Sequence, residues 1–150
     1  MSLTDVSEKI NAAMNRRPAQ QQVAPSTVFL SHAHADAEAI RQLDFVLRSF
    51  GFTSWWSALL QPGDSYRCEI VRRLSTAFAV IVLWTPTSIR SQWVVSEAAR
   101  GLDRGVLVPV RSSSVDENDI PPPFDTLHTL TSDNISGLVD SLEALRTAQG

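Results

Sequence analysis

The chain has 150 residues, 43% hydrophobic and 19% charged, which fits one globular domain with its own core. A net charge of -3, with Lys9 as the single lysine, offers no footprint for a phosphate backbone, so nucleic acid is not an expected partner. Cys68 is the only cysteine, which excludes an intrachain disulfide framework, and with no apolar leader or membrane-length apolar run the expected location is the cytoplasm, away from membranes.

Residues 1–25 read as a polar extension. They hold Gln20-Gln21-Gln22 and few large apolar side chains; a short helix is predicted over Val6 to Met14, then a linker ending at Pro25. The domain proper is expected over 26–150. Thr27 to Leu30 is a short apolar run that predicts a buried strand. Ile40, Leu43, Leu47 and Phe50 then recur at helical spacing over 36–50, with Gly51 as the C-terminal cap. Phe52 to Trp56 is a second predicted strand, and Ser57 to Gly63 a loop closed by the turn pair Pro62-Gly63. Asp64 can cap a helix carrying Tyr66, Ile70 and Leu74 on one face. Phe78 to Trp84 is the most apolar run in the chain and reads as a strand buried on both faces of a parallel sheet. Ser91 opens a helix to about Arg104, ended by Gly105. Val106 to Val110 is a fourth strand whose Pro109 predicts incomplete pairing on one side. A polar loop over 111–124 leads to a weak fifth strand, Leu127 to Leu130. Ile135, Leu138, Leu142 and Leu145 mark the last helix.

Strands alternating with helices imply an α/β fold with a parallel sheet and right-handed crossovers. The central character of the third strand favours a flavodoxin-like sandwich of order 2-1-3-4-5. Ligands in such sheets bind beyond the carboxyl ends of the strands, where the order reverses. That crevice lies between strands one and three, with Ser31 to Asp36 and Trp84 to Pro86 at its lips.

Several chemistries are absent from the sequence. No phosphate loop of either glycine-rich kind and no G-x-S-x-G elbow occurs. A phospho-accepting receiver needs an aspartate after strand three and a nearby lysine; Trp84-Thr85-Pro86 and the lone Lys9 supply neither. His32 and His34 form an H-x-H pair with no evident third ligand, so no metal centre is expected.

One constellation remains. If Ser91 caps a helix, Trp93 and Glu97 lie one turn apart on one face. An aromatic plate beside a carboxylate suits a flat heterocycle next to a developing positive charge, such as the nicotinamide ribose of NAD+. Nicotinamide leaves as a neutral base, so no general acid is required. The site must supply a fixed negative charge near an oxocarbenium-like sugar. The residues alone favour the plainer alternative, in which Glu97 is a solvated acid near a helix start and Trp93 is core packing.

The motifs together resemble bacterial TIR domains over about Ser26 to Leu145. Val28-Phe29-Leu30-Ser31-His32-Ala33-His34-Ala35-Asp36 is similar to the family's F-I-S-Y-S-x-x-D box. Gly51 to Trp56 followed by Leu60 to Tyr66 resembles its BB-loop region. Ile81 to Ser88, then Ser91-x-Trp93-Val94-x-x-Glu97, and Val108-Pro109-Val110 resemble two further boxes. The resemblance implies a flavodoxin-like fold and, for many members, hydrolysis or cyclisation of NAD+, which is a substrate and not a cofactor. It assigns the catalytic glutamate to Glu97 and pocket positions to Phe29, Ser31, His32, Trp56, Tyr66 and Trp93. Three departures are visible. Ser57 stands where an aspartate is usual, His32 replaces a common tyrosine, and Ala33 and His34 occupy positions that carry arginines in some active members.

Two roles follow from the resemblance: an NAD+ glycohydrolase or cyclase serving immunity against phage or host, and a non-catalytic module that binds itself or other TIR domains. The leucines of Ser57-Ala58-Leu59-Leu60-Gln61-Pro62-Gly63 suit a self-association surface, or pack back on their own domain. The two roles are compatible, since the family often assembles head to tail with the BB loop completing a neighbour's pocket.

Overall fold

The computed structural model describes residues 27–57 and 66–149. The extension with its predicted helix lies outside the described residues, as do Asp64 and the loop leucines Leu59 and Leu60.

The strands are β1 (Thr27–Ser31), β2 (Thr53–Trp55), β3 (Ala79–Trp84), β4 (Leu107–Arg111) and β5 (Leu130–Thr131). The helices are α1 (Ala37–Ser49), α2 (Tyr66–Thr76), α3 (Gln92–Asp103) and α4 (Ile135–Gln149). All neighbouring strands pair in parallel, in the order β2-β1-β3-β4-β5. The flavodoxin-like topology expected from the sequence is the one formed.

Side-chain alternation along the strands divides the core into two layers. Val28, Leu30, Ile81 and Leu83 pack with Ile40 and Leu47 of α1 and with Leu138, Val139 and Leu142 of α4. On the other face, Phe29 and Val80 meet Ile70 and Leu74 of α2, while Val82 and Trp84 meet Val94 and Ala98 of α3. β3 is buried along its whole length. Its continuous apolar run reflects helices covering both faces of the sheet.

Glycine ends two helices and launches the strand after each. Gly51 has φ +87° and Gly105 φ +72°, left-handed values that side-chain-bearing residues avoid. The Phe52 N–H reaches the Leu47 carbonyl and the Gly51 N–H that of Arg48; Val106 and Gly105 repeat the pattern on Gly101 and Leu102. Both are Schellman turns, and they set where β2 and β4 begin.

The expectation for the last strand is refined. β5 is shorter and later than Leu127 to Leu130. The chain first makes a 3-10 turn over Phe124–Thr126, and Leu127 packs beside Trp84 and Phe124 instead of joining the sheet. β5 then pairs only with Val110 and Arg111, so pairing on that side of β4 starts after Pro109, as its missing N–H predicts.

Candidate functional site

The strand order reverses between β1 and β3, and the carboxyl end of β1 is Ser31. Ser31 falls on the sheet face that carries Phe29, toward α3. That helix begins as the sequence predicts: Ser91 is its N-cap, accepting the Val94 N–H at 3.2 Å. From there Val94, Glu97, Ala98 and Gly101 form the buried stripe. Gly101 brings the helix close to the sheet, since a Cβ at that position would stand 2.9 Å from the Val80 Cβ. One turn earlier on the same stripe, the Glu97 carboxylate reaches across to β1 and accepts the Ser31 hydroxyl at 2.7 Å.

A carboxyl with 6% exposure is an expensive group to ionise. Burial pushes Glu97 up to about 7, against the opposing pull of hydrogen bonds from Ser31 and from the Trp93 side chain. No ionised neighbour among the described residues contributes to that shift. Trp93 is 42% exposed, so one partner of the carboxyl stands in solvent while Ser31, at 0%, is fully enclosed. The sequence expectation that Trp93 and Glu97 share a face is met, although the indole lines the outside of the site and is not core.

The other lip is tied down. The Thr85 hydroxyl donates to Asp36 at 2.6 Å, joining the segment after β3 to the turn after β1. Thr85 and Ser88 also exchange hydrogen bonds: the Thr85 N–H reaches Ser88 Oγ at 2.7 Å, and the Ser88 N–H reaches Thr85 Oγ1 at 3.1 Å. The Ser88 hydroxyl in turn donates to the Leu83 carbonyl. Both rims of the crevice are therefore held in fixed positions.

The remaining sequence candidates divide. His32 is nearly buried and stands edge-on to Trp56, ring centroids 5.7 Å apart and planes at 72°. Burial lowers its pKa, so its imidazole is neutral at neutral pH. Trp56 is buried as well, with the Arg41 guanidinium over its ring at 6.0 Å. Phe29 lies in the core against Trp55, Ile70 and Leu74. Tyr66 opens α2, and its side chain lies outside the described residues. The structure thus gathers Ser31, Glu97 and Trp93 into one contact group, sets His32 and Trp56 beside each other as a second, and keeps Phe29 as packing. A separate polar cleft of about 450 Å³ lies at the end of β4, between Arg111, Ser114 and Asn118, and shares no residue with either group.

Three contributors carried no functional assignment in the sequence. Asp36 and Thr85 fall within the lip segments, yet their mutual bond spans 49 positions and has no local signature. Gly101 reads as one small residue in a helix, and its role needs the position of Val80 to be seen. Among the described residues, no three His, Cys, Asp or Glu side chains gather where a metal ion could be held.

Comparison with known proteins agrees with this architecture. The TIR domain family matches residues 28–145. A metazoan TIR-STING receptor from C. gigas, solved in complex with 2',3'-cGAMP, aligns at 26% identity and TM-score 0.66, over 79% of this chain and 39% of the receptor. The TIR domain of the Toll-related receptor TRR-2 from Hydra magnipapillata aligns at 17% identity and TM-score 0.64, over 81% and 95% of the two chains. The TIR domains of the activated Roq1 resistosome, which recognises the pathogen effector XopQ, align at 19% identity and TM-score 0.55, covering 83% of each. No curated protein sequence matches.

Proposed function

We propose that this chain, which belongs to the TIR domain family, cleaves the bond between nicotinamide and ribose in NAD+, with Glu97 as the catalytic residue. The observation that carries this reading is the Glu97 carboxyl itself. It is buried at the switch point of the sheet, free of any salt bridge among the described residues, and held by two neutral donors.

The chemistry fits the leaving group. The departing base is a pyridinium that becomes neutral nicotinamide, so the bonding electrons move onto its ring and no proton is needed. Positive charge builds on the ribose as the bond stretches. A carboxylate in a poorly solvated setting stabilises that charge more strongly than one in water. The cationic substrate also lowers the cost of ionising a carboxyl that burial has pushed to about 7. Trp93 offers an exposed aromatic face one turn away, suited to a flat ring approaching from solvent. His32 and Trp56, both neutral, bring no charge that would compete with Glu97.

The same reading places the chain in immune signalling, as an effector or signal generator in the cytoplasm. Its fold is shared with a receptor and with a resistosome that recognises a pathogen effector. Among the described residues, no helix is long and apolar enough to cross a membrane.

Incubation with NAD+ and measurement of released nicotinamide tests the assignment. The parent chain is expected to release it and Glu97→Ala to lose nearly all of that activity; equal activity in both would overturn the reading. A second role, as a contact module for further TIR domains or for copies of itself, is favoured by Phe45. That ring is 74% exposed on α1, an unusual position for a large apolar side chain. The loop over Ser57–Gly63 is the other proposed contact. Partner binding without NAD+ turnover at any protein concentration would make this the primary role.

A further inference from the structure

We propose that Ser31 is a positioning residue that acts through Glu97: its hydroxyl fixes the carboxyl's orientation and is, among the described residues, the one enclosed donor that supports its charge, and it makes no contact with substrate. The role within a reaction rests on the NAD+ reading above; the effect on Glu97 does not.

The geometry restricts Ser31 to this task. It is the last residue of β1, paired with Val82 of β3, so its backbone cannot swing away. It is 0% exposed, which leaves no surface for a ligand. A serine hydroxyl has a single proton to donate, and that proton goes to Glu97 Oε1 over 2.7 Å. A donor to a carboxylate stabilises the ionised form more than the neutral one.

Among the described residues, no other group replaces it. Val94, Ala98 and Gly101, which share the buried stripe with Glu97, carry no side-chain donor. Just after β1, His32 turns its ring to Trp56. Asp36 is bonded to Thr85 across the crevice. That leaves Trp93, whose indole is 42% exposed and open to displacement by water or by an arriving ring. When a ligand takes the Trp93 face, Ser31 is the donor that stays.

The experiment reads the Glu97 proton directly. The infrared carbonyl band of the protonated carboxyl is followed against pH, and Glu97→Gln, which removes the band, assigns it. Ser31→Ala is expected to need roughly tenfold lower proton concentration for half-ionisation, the ordinary worth of one lost donor to a charged group. Ser31→Thr keeps the hydroxyl and stays near the parent. Ser31→Cys, close in shape with a weaker donor, follows the alanine variant and serves if that variant folds poorly. In nicotinamide release, the alanine variant is expected to lose roughly fivefold in kcat at neutral pH, to regain it as pH rises, and to keep KM within about twofold. A titration unchanged by both Ser31→Ala and Ser31→Cys would overturn the proposal, as would a variant altered in KM alone. A parent chain that releases no nicotinamide, while its band still moves with Ser31→Ala, would uphold the link to Glu97 and overturn only the NAD+ reading.

Discussion

The backbone of Gly101 rests directly on the side chain of Val80. A methyl group at position 101 would stand 2.9 Å from Val80 Cβ, 3.1 Å from its Cγ1 and 3.3 Å from Leu107 Cδ1. Val80 is fully buried and cannot retreat. Gly101→Ala is therefore expected to destabilise the fold by about 1 kcal/mol, an overpacking cost of ~1–3 kcal/mol partly offset by the better helix propensity of alanine. It should also weaken nicotinamide release, because Glu97 rides on the same helix. Urea unfolding and an activity assay check both; a variant more stable than the parent would show that α3 has room to shift.

A buried carboxyl imposes a defined pH dependence on stability. Burial raises Glu97 from 4.5 to about 7 in the folded chain. Between those values the folded state holds the proton more tightly than the unfolded state, so stability falls as pH rises through this window and levels off above it. The loss amounts to about 3 kcal/mol at most. Glu97→Gln lacks the titrating group. The difference between parent and variant, measured by urea unfolding, should shift toward the variant between pH 5 and 8. A difference that stays constant with pH would contradict the burial of a neutral acid.

Thr85→Val tests the latch between the two lips. The substitution keeps the shape but removes the donor to Asp36 and the acceptor of the Ser88 N–H, which is buried. Stability should fall by about 2 kcal/mol, the range for a buried donor left unpaired. KM for NAD+ should rise as the rim loosens. Unaltered stability would mean that the Ser88 turn forms without Thr85.

Assembly has its own signature. If a neighbouring copy completes the pocket, specific activity rises with protein concentration, because a composite site is populated by mass action. Progress curves across a hundredfold range of enzyme concentration would show it, and proportional rates throughout would indicate a self-contained site.

Much of this architecture is legible from local pattern. The run from Phe78 to Trp84 is apolar without alternation because helices cover both faces of β3, and burial imprints that directly on the sequence. Ser91 and Glu97 are readable for a similar reason: an N-cap fixes helical phase, and phase fixes which side chains share a face. What escapes is anything that depends on distance in space. The Ser31 hydroxyl and Glu97 carboxyl are 66 positions apart, and nothing near either residue announces the other. Phe29 sits in a motif associated with the pocket, yet strand alternation and the placement of α2 put its ring in the core. β5 departs from its apolar pattern because Leu127 finds burial beside Trp84, outside the sheet.

Trp93 differs from the other three tryptophans. Trp55, Trp56 and Trp84 are no more than 7% exposed, whereas Trp93 is 42% exposed and bonded to Glu97. Soluble quenchers will reach that indole first, and its emission will change as the adjoining acid gains or loses its proton. The chain thus carries a built-in optical sensor of its own carboxyl, readable without any label.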